Sequence, residues 1–268
     1  MNSGKLFFSD ALFLNDHVEV LYGKDVVAAV LNSRATATSD ENIREVLLKT
    51  ARLMLMPQMT RYVYRFFIAS FCRDGDRLGQ WRAYGMPGTG YAIGFKSKHL
   101  RNTTVALDVN LSVQLWRIEY RSDRQVALVN AVIDAALSEF IPRAVPNANP
   151  ERYVVIHLAM AISLLLPLLK HPVFAEEREW RAVVTTIGDQ PRPFLSFRHG
   201  REMIVPHLTI DLRRKIKGRD LLPIATITHA PGPEPELTKR VLEDLLETNK
   251  YPPGTVRIRG SEIPLRLS

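Results

Sequence analysis

The chain predicts an α+β fold, in which a mixed, mainly antiparallel sheet is flanked by helices. Three observations carry this reading. Helix-like and strand-like runs are interspersed without regular βαβ alternation, and no internal repeat is visible. A length of 268 residues with 46% hydrophobic and 24% charged side chains is enough to bury a substantial core, taken here as one domain over residues 1–268.

Lys5 to Asp10 reads as a short strand, and Asn15-Asp16 after it supplies turn or capping chemistry. Val26, Val27, Val30 and Leu31 recur at helical spacing. So do Ile43, Val46, Leu47, Leu53 and Leu55, which follow Ser39-Asp40-Glu41, an N-cap with an acid in the first turn; Pro57 ends that helix. Tyr64 to Phe71 is dense in aromatic and β-branched residues and reads as a strand. Asp76 to Tyr84 reads as a short helix, Gly85 to Gly90 as a turn, and Tyr91 to Phe95, Val105 to Leu107 and Val113 to Tyr120 as strands. After Ser122, Val126, Val129, Val132, Ile133, Ala136 and Leu137 share a helical face. Pro142 to Pro150 reads as a loop, and Pro150 to Lys170, apolar on most sides, as a central helix. A strand beginning near Arg178 sets Glu179 at its entrance, with Glu177 and Arg181 on the same face by alternation. Phe194 to Arg198, Met203 to Pro206 and Ile224 to His229 continue as strands, followed by a helix from Pro235 to Leu246 and a strand from Val256 to Arg259.

Several function classes find no support. Cys72 is the single cysteine, so it forms no internal disulfide, and its place at the end of an apolar strand reads as buried and inert. His17, His157 and His171 lack ligand spacing, so no metal is expected. No G-x-S-x-G, P-loop or Rossmann fingerprint is present, and no cofactor is assigned. The N-terminus has no run of signal-peptide type, and Val154 to Leu169 falls short of the roughly 20 residues of a bilayer span. A cytoplasmic location without a membrane partner is the expectation. The net charge of +8 favours anionic partners. Arg198 to Arg219 holds seven Lys/Arg against two acids, which reads either as a solvated turn and strand edge or as a contact to phosphate or nucleic acid; no nucleic-acid-binding motif accompanies it.

Asp76-Arg77-Leu78-Gly79-Gln80-Trp81-Arg82-Ala83-Tyr84-Gly85 and the Met86 to Phe95 run after it gather glycines, arginines, aromatics and a glutamine into 20 positions. Such a mixture suits directed hydrogen bonding and close backbone approach, and marks a candidate site. Together with Leu12-Phe13-Leu14-Asn15-Asp16 and Glu19, Ala69 to Cys72, Lys170 to Arg181 and Ser261 to Arg266, in this order, it resembles the bacterial family called domain of unknown function 2971 across nearly the whole chain. That family resembles in turn the ADP-ribosyltransferase-like domains, and on that likeness the family's first strand, with its histidine, would lie upstream of Met1.

What the second resemblance implies is an NAD-processing enzyme, with NAD as substrate and a role in stress or phage defence. Glu179 would be the late catalytic acid, stabilising an oxocarbenium-like transition state, and Tyr84 or Tyr91 the stacking aromatic. Arg82 and Arg178 would hold a pyrophosphate, with Gln80 and the amides of Gly85, Gly88 and Gly90 beside them. A non-catalytic nucleotide- or anion-binding module is the alternative. The plain readings stand next to these: Trp81 and Trp180 as core anchors, Arg82 and Arg181 paired with Asp76, Glu177 or Glu179, and Gly85 to Gly90 as a turn alone.

Overall fold

Antiparallel pairing organises the chain, as the alternating strand patterns require. The structure, a computed structural model, describes residues 4–13, 18–56, 64–85, 90–100, 103–106, 110–144, 149–187, 195–200 and 203–263. In chain order the strands are β1 (Lys5–Asp10), β2 (Tyr64–Cys72), β3 (Tyr91–Phe95), β4 (Thr103–Ala106), β5 (Asn110–Arg117) and β6 (Glu179–Ile187). They continue with β7 (Leu195–His199), β8 (Ile204–Asp211), β9 (Arg214–Ile216), β10 (Arg219–Leu221), β11 (Ile224–His229) and β12 (Arg257–Gly260). The helices are α1 (Val18–Ala37), α2 (Glu41–Leu55), α3 (Leu78–Tyr84), α4 (Ser122–Ala144), α5 (Pro150–Ser163) and α6 (Pro235–Thr248).

Seven strands form an antiparallel sheet in the order β4-β5-β6-β2-β1-β8-β7. A second sheet, β12-β11-β3, has one parallel and one antiparallel pairing, and β9 and β10 make a hairpin. One face of the large sheet buries Phe8, Phe67, Ala182, Val184 and Leu208 in a core shared with Ile224 and Ile227 of β11 and Leu242 and Leu246 of α6. The opposite face carries Phe66, Ile68 and Val183. On that side α1, α2, α4 and α5 close a helical core around Leu31, Leu47, Met54, Ile133, Leu158 and Ile162. Ser122–Ala144 and Pro150–Leu168 are long and apolar enough to cross a membrane by length and composition, and both supply side chains to this core.

Most elements follow the pattern read from the sequence. Asp40 caps α2 by accepting from the backbone N–H groups of Asn42 and Ile43, and α2 stops at Leu55; Pro57 lies outside the described residues, as do Asn15-Asp16 and Gly88. The structure differs from that reading at three places. α4 runs through Pro142 to Ala144, the proline costing it one backbone bond two residues before its end. The helix after it ends at Ser163 and passes into a 3-10 turn at Leu166–Leu168. At the start of α4, Gln125 rather than Val126 faces inward: its amide donates to the carbonyls of Glu119 and Lys170 and accepts from the Tyr22 hydroxyl, at 2.7, 2.8 and 2.7 Å. A fully bonded glutamine satisfies three backbone and side-chain groups that a valine would leave without partners.

Leu158→Ala, at the centre of the helical core, is expected to cost about 2–5 kcal/mol, whereas Leu164→Ala, at an exposed position, stays within about 0.5 kcal/mol. Urea unfolding followed by circular dichroism measures both.

Candidate functional site

The register of β2 on β6 sets the site. Cys72 pairs with Glu179, Phe71 with Trp180 and Ser70 with Arg181, so alternation sends Glu179, Arg181 and Ser70 to the helical side and Trp180 and Phe71 to the other. On the helical side the Glu179 carboxylate is 6% exposed and fully engaged. Its Oε1 accepts from Ser70 Oγ at 2.6 Å and Arg181 Nε at 2.7 Å, and its Oε2 from Lys170 Nζ and Arg181 Nη2, both at 3.1 Å. Lys170 also pairs with Glu177 at 2.6 Å and lies over the Phe174 ring, while Arg181 Nη1 donates to the Pro167 carbonyl at 2.9 Å. Among the described residues two acids and two bases thus offset one another in a largely buried cluster, the condition under which buried charge is tolerated. Burial would raise the Glu179 carboxyl, but the charge and donors of Arg181, then Lys170 and Ser70, outweigh it and hold it below the ordinary carboxylate value. The Glu179 N–H donates to Tyr120 Oη at 3.0 Å, and burial pushes that phenol up to about 12.

On the other face a cleft of about 680 Å3 opens between the two sheets. Arg117, Trp180 and Phe71 form one row across β5, β6 and β2 on its large-sheet wall. Ala92, Thr228 and Arg259 form a row across β3, β11 and β12 on the facing wall, with Gly94 and Thr226 beside them. Small residues on the second wall make the space. At Gly94 a methyl group would come within 2.1 Å of Thr226 Oγ1, so a larger residue there requires the threonine side chain to turn away. Phe71 and Phe95 meet edge to face at 6.1 Å and tie the walls together. Arg73, Asp74, Gln80 and Ser97 complete the polar lining, three arginines standing against one aspartate.

The two predicted motifs converge on this cleft, but of the candidate site residues singled out Gln80 alone is in its lining. Gln80 lines it, and so does Trp180. Glu179 does not: it occupies the opposite face of β6 from Trp180. Arg82, Tyr84 and Tyr91 are exposed, the tyrosines at 76% and 54%, and are not part of the lining. Arg178 is exposed, in the left-handed conformation, and its carbonyl accepts from the Arg73 N–H at 3.2 Å. Trp81 is the expected anchor, its indole N–H donating to Asp76 Oδ1 at 2.7 Å. Asp76 also accepts from Ser261 Oγ and the Glu262 N–H, so it fastens α3 to the chain after β12. Gly85 and Gly90 make room for the Trp81 ring, which lies within 3.4 Å of where their side chains would begin. Trp180, read as a core anchor, is instead half-exposed in the cleft, and Cys72 is a half-buried lining residue rather than a buried one. Arg73, Arg117 and Arg259 were not singled out by the sequence reading; alternation from Trp180 across β5 and β6 is the signal for Arg117 once the register is known.

Comparison with known proteins bears on the same two segments. Residues 80–182 match the family described as a protein of unknown function (DUF2971). The DUF2971 span begins at Gln80 and ends just past Arg181, so it includes Arg117 and Trp180 and leaves Leu12 to Glu19, Ala69 to Cys72, Asp76 and Ser261 to Arg266 outside it. That description names no activity, and nothing in the match concerns NAD, ADP-ribosylation or defence. No curated protein and no solved structure matches the chain.

The buried cluster has a measurable cost and pH signature. Arg181→Ala, which leaves the carboxylate buried with fewer donors, is expected to lose about 3–5 kcal/mol in urea unfolding. Because Glu179 is held below the 4.5 of an ordinary glutamate, the unfolded chain binds more protons on acidification. Its stabilisation is therefore complete above that value and lost as pH falls through the folded one, and Glu179→Gln should flatten the acid limb of a stability-against-pH curve.

Proposed function

We propose that this protein is a nucleotide-binding module whose ligand, a flat ring carrying phosphate, enters the cleft between the two sheets. The observation that carries the reading is the cleft's composition: Arg73, Arg117 and Arg259 beside Trp180 and Phe71, with Gln80, Ser97, Thr226 and Thr228 among them. Guanidinium forks suit phosphate oxygens, an indole face suits a base, and hydroxyl and amide groups suit ribose and base edges. The volume is that of an ordinary small-molecule site.

The NAD-processing enzyme of ADP-ribosyltransferase-like kind has less support. Its proposed acid, Glu179, has both oxygens occupied by strong donors and is turned away from the cleft. Calorimetric titration with AMP, ADP and NAD tests the binding reading. Binding is expected for at least one of them, with Arg117→Ala or Trp180→Ala weakening it by roughly tenfold to a hundredfold. No binding by any of the three, or binding that neither variant changes, would remove the cleft from consideration. Incubation with labelled NAD separates the enzyme: turnover abolished in Glu179→Gln would restore that carboxylate to a catalytic role.

A further inference from the structure

The second sheet has an open edge beside an apolar helix face. Ile93, Ile227 and Ile258 form one row across β3, β11 and β12, on the face opposite to Ala92, Thr228 and Arg259. α6 packs on this face, its Leu242 and Leu246 in one core with Ile227. It begins at the Tyr91 end of β3, since His229, the partner of Tyr91, shares a hollow with Gly260 and with Pro235 of the first helical turn. The helix stops short of β3: Ile227 is 1% exposed, but Ile93 beside it is 43% exposed and Tyr91 also stands open. Leu237, Val241 and Leu245 recur every four residues along α6 and are exposed as well. β11–α6–β12 is a parallel strand–helix–strand unit, and on the right-handed crossover that such units take, this stripe turns toward β3. The five side chains thus make one apolar surface. Among the described residues no strand pairs with the outer side of β3, whose row of backbone N–H and C=O groups adjoins that surface.

This edge lacks the devices that guard exposed strands. Tyr91 to Phe95 holds no charge and no proline, whereas β12, at the other edge of the same sheet, has Arg257 and Arg259 in four residues. A strand joined antiparallel to its own copy about a two-fold axis satisfies both edges with one set of groups. With Ile93 at the axis, the apolar surfaces of two copies meet. Lys96 of each copy then lies opposite Gly90 of the other, toward Glu234 and Glu236 at the start of α6, and all three charged side chains are exposed. The same two acids make that end a poor seat for the C-terminal carboxylate of a docked peptide, which favours a second copy. We infer that this face joins two copies of the chain, β3 pairing antiparallel with β3 of the second copy to extend the small sheet to six strands, with the two α6 stripes closing on the seam. The row of Ala92, Thr228 and Arg259 stays on the opposite face, so association and the cleft are separate matters.

Sedimentation velocity of the full chain between about 1 and 200 μM tests this, because so short an edge makes a small interface and a concentration-dependent dimer. The unmodified chain should pass from monomer to dimer over that range. Ile93→Lys, which sets a charge beside its own copy, and Val241→Glu, on the α6 stripe, should each weaken association roughly tenfold or more, while thermal melts followed by circular dichroism show both variants folded. Hydrogen exchange at the two ends of the range locates the contact: the outward amides of β3 should slow at the higher concentration. A chain that stays monomeric throughout would overturn the inference and leave this face to a different partner. Dimers that both variants form as readily as the unmodified chain, or β3 amides that exchange alike at both concentrations, would overturn it too. If Ile93→Lys unfolds the chain, Val241→Glu and the exchange measurement decide.

Discussion

Alternation along β6 is the constraint on which the rest depends. Glu179 and Trp180 are neighbours in sequence, and the pleat sends them to opposite faces of the same sheet. The pairing of β2 with β6 along nine residues leaves no freedom to exchange them, because a slip of one position would move Ala182 and Val184 out of the core and Glu179 into it. One face then carries a neutral cluster of Glu177, Glu179, Lys170 and Arg181 that joins sheet to helices. The other carries an aromatic and cationic wall that opens to a cleft.

The two faces do different work for the same physical reason. Buried charge survives only when its partners are complete, and the Glu179 carboxylate has donors from β2, from its own strand and from the segment after the Leu166–Leu168 turn. That completeness makes it a good clamp and a poor base. In the cleft, by contrast, Arg73 and Arg117 are exposed and the facing wall is built from glycine, alanine and threonine, so cationic groups stand beside unfilled space. Such an arrangement suits recognition of an anion more than stabilisation of a fold.

Much of the fold was legible in the sequence, because its cues are local. Lys5–Asp10, Tyr91–Phe95 and Ile224–His229 carry strand patterns that the structure reproduces, and the Asp40 cap needs only its own neighbours. The β9–β10 hairpin was not legible: Arg214–Ile216 and Arg219–Leu221 are three residues each and mostly charged, with no apolar alternation to mark them. The site was legible in part. The segments around Gln80 and Trp180 do meet at one cleft, and period two already separates Glu179 from Trp180. Which of the two faces the cleft depends on where β3 and β11 come to lie, a pairing between residues more than a hundred positions apart that no local pattern encodes. Arg259 and Thr228 were missed for the same reason, since they reach the site only through that second sheet.

The three tryptophans report on the central claim directly. Trp180 is in the cleft; Trp116, paired with Arg181, is on the opposite face of the large sheet; and Trp81 is buried under α3. Titrating AMP into the nitrogen-15-labelled protein and following the indole N–H signals, each assigned by a Trp→Phe variant, distinguishes these places. The expected result is a saturable shift of the Trp180 signal, with those of Trp116 and Trp81 unmoved. A shift confined to Trp116, or saturation with no change at Trp180, would contradict the account by putting the ligand on the Glu179 face or outside the cleft.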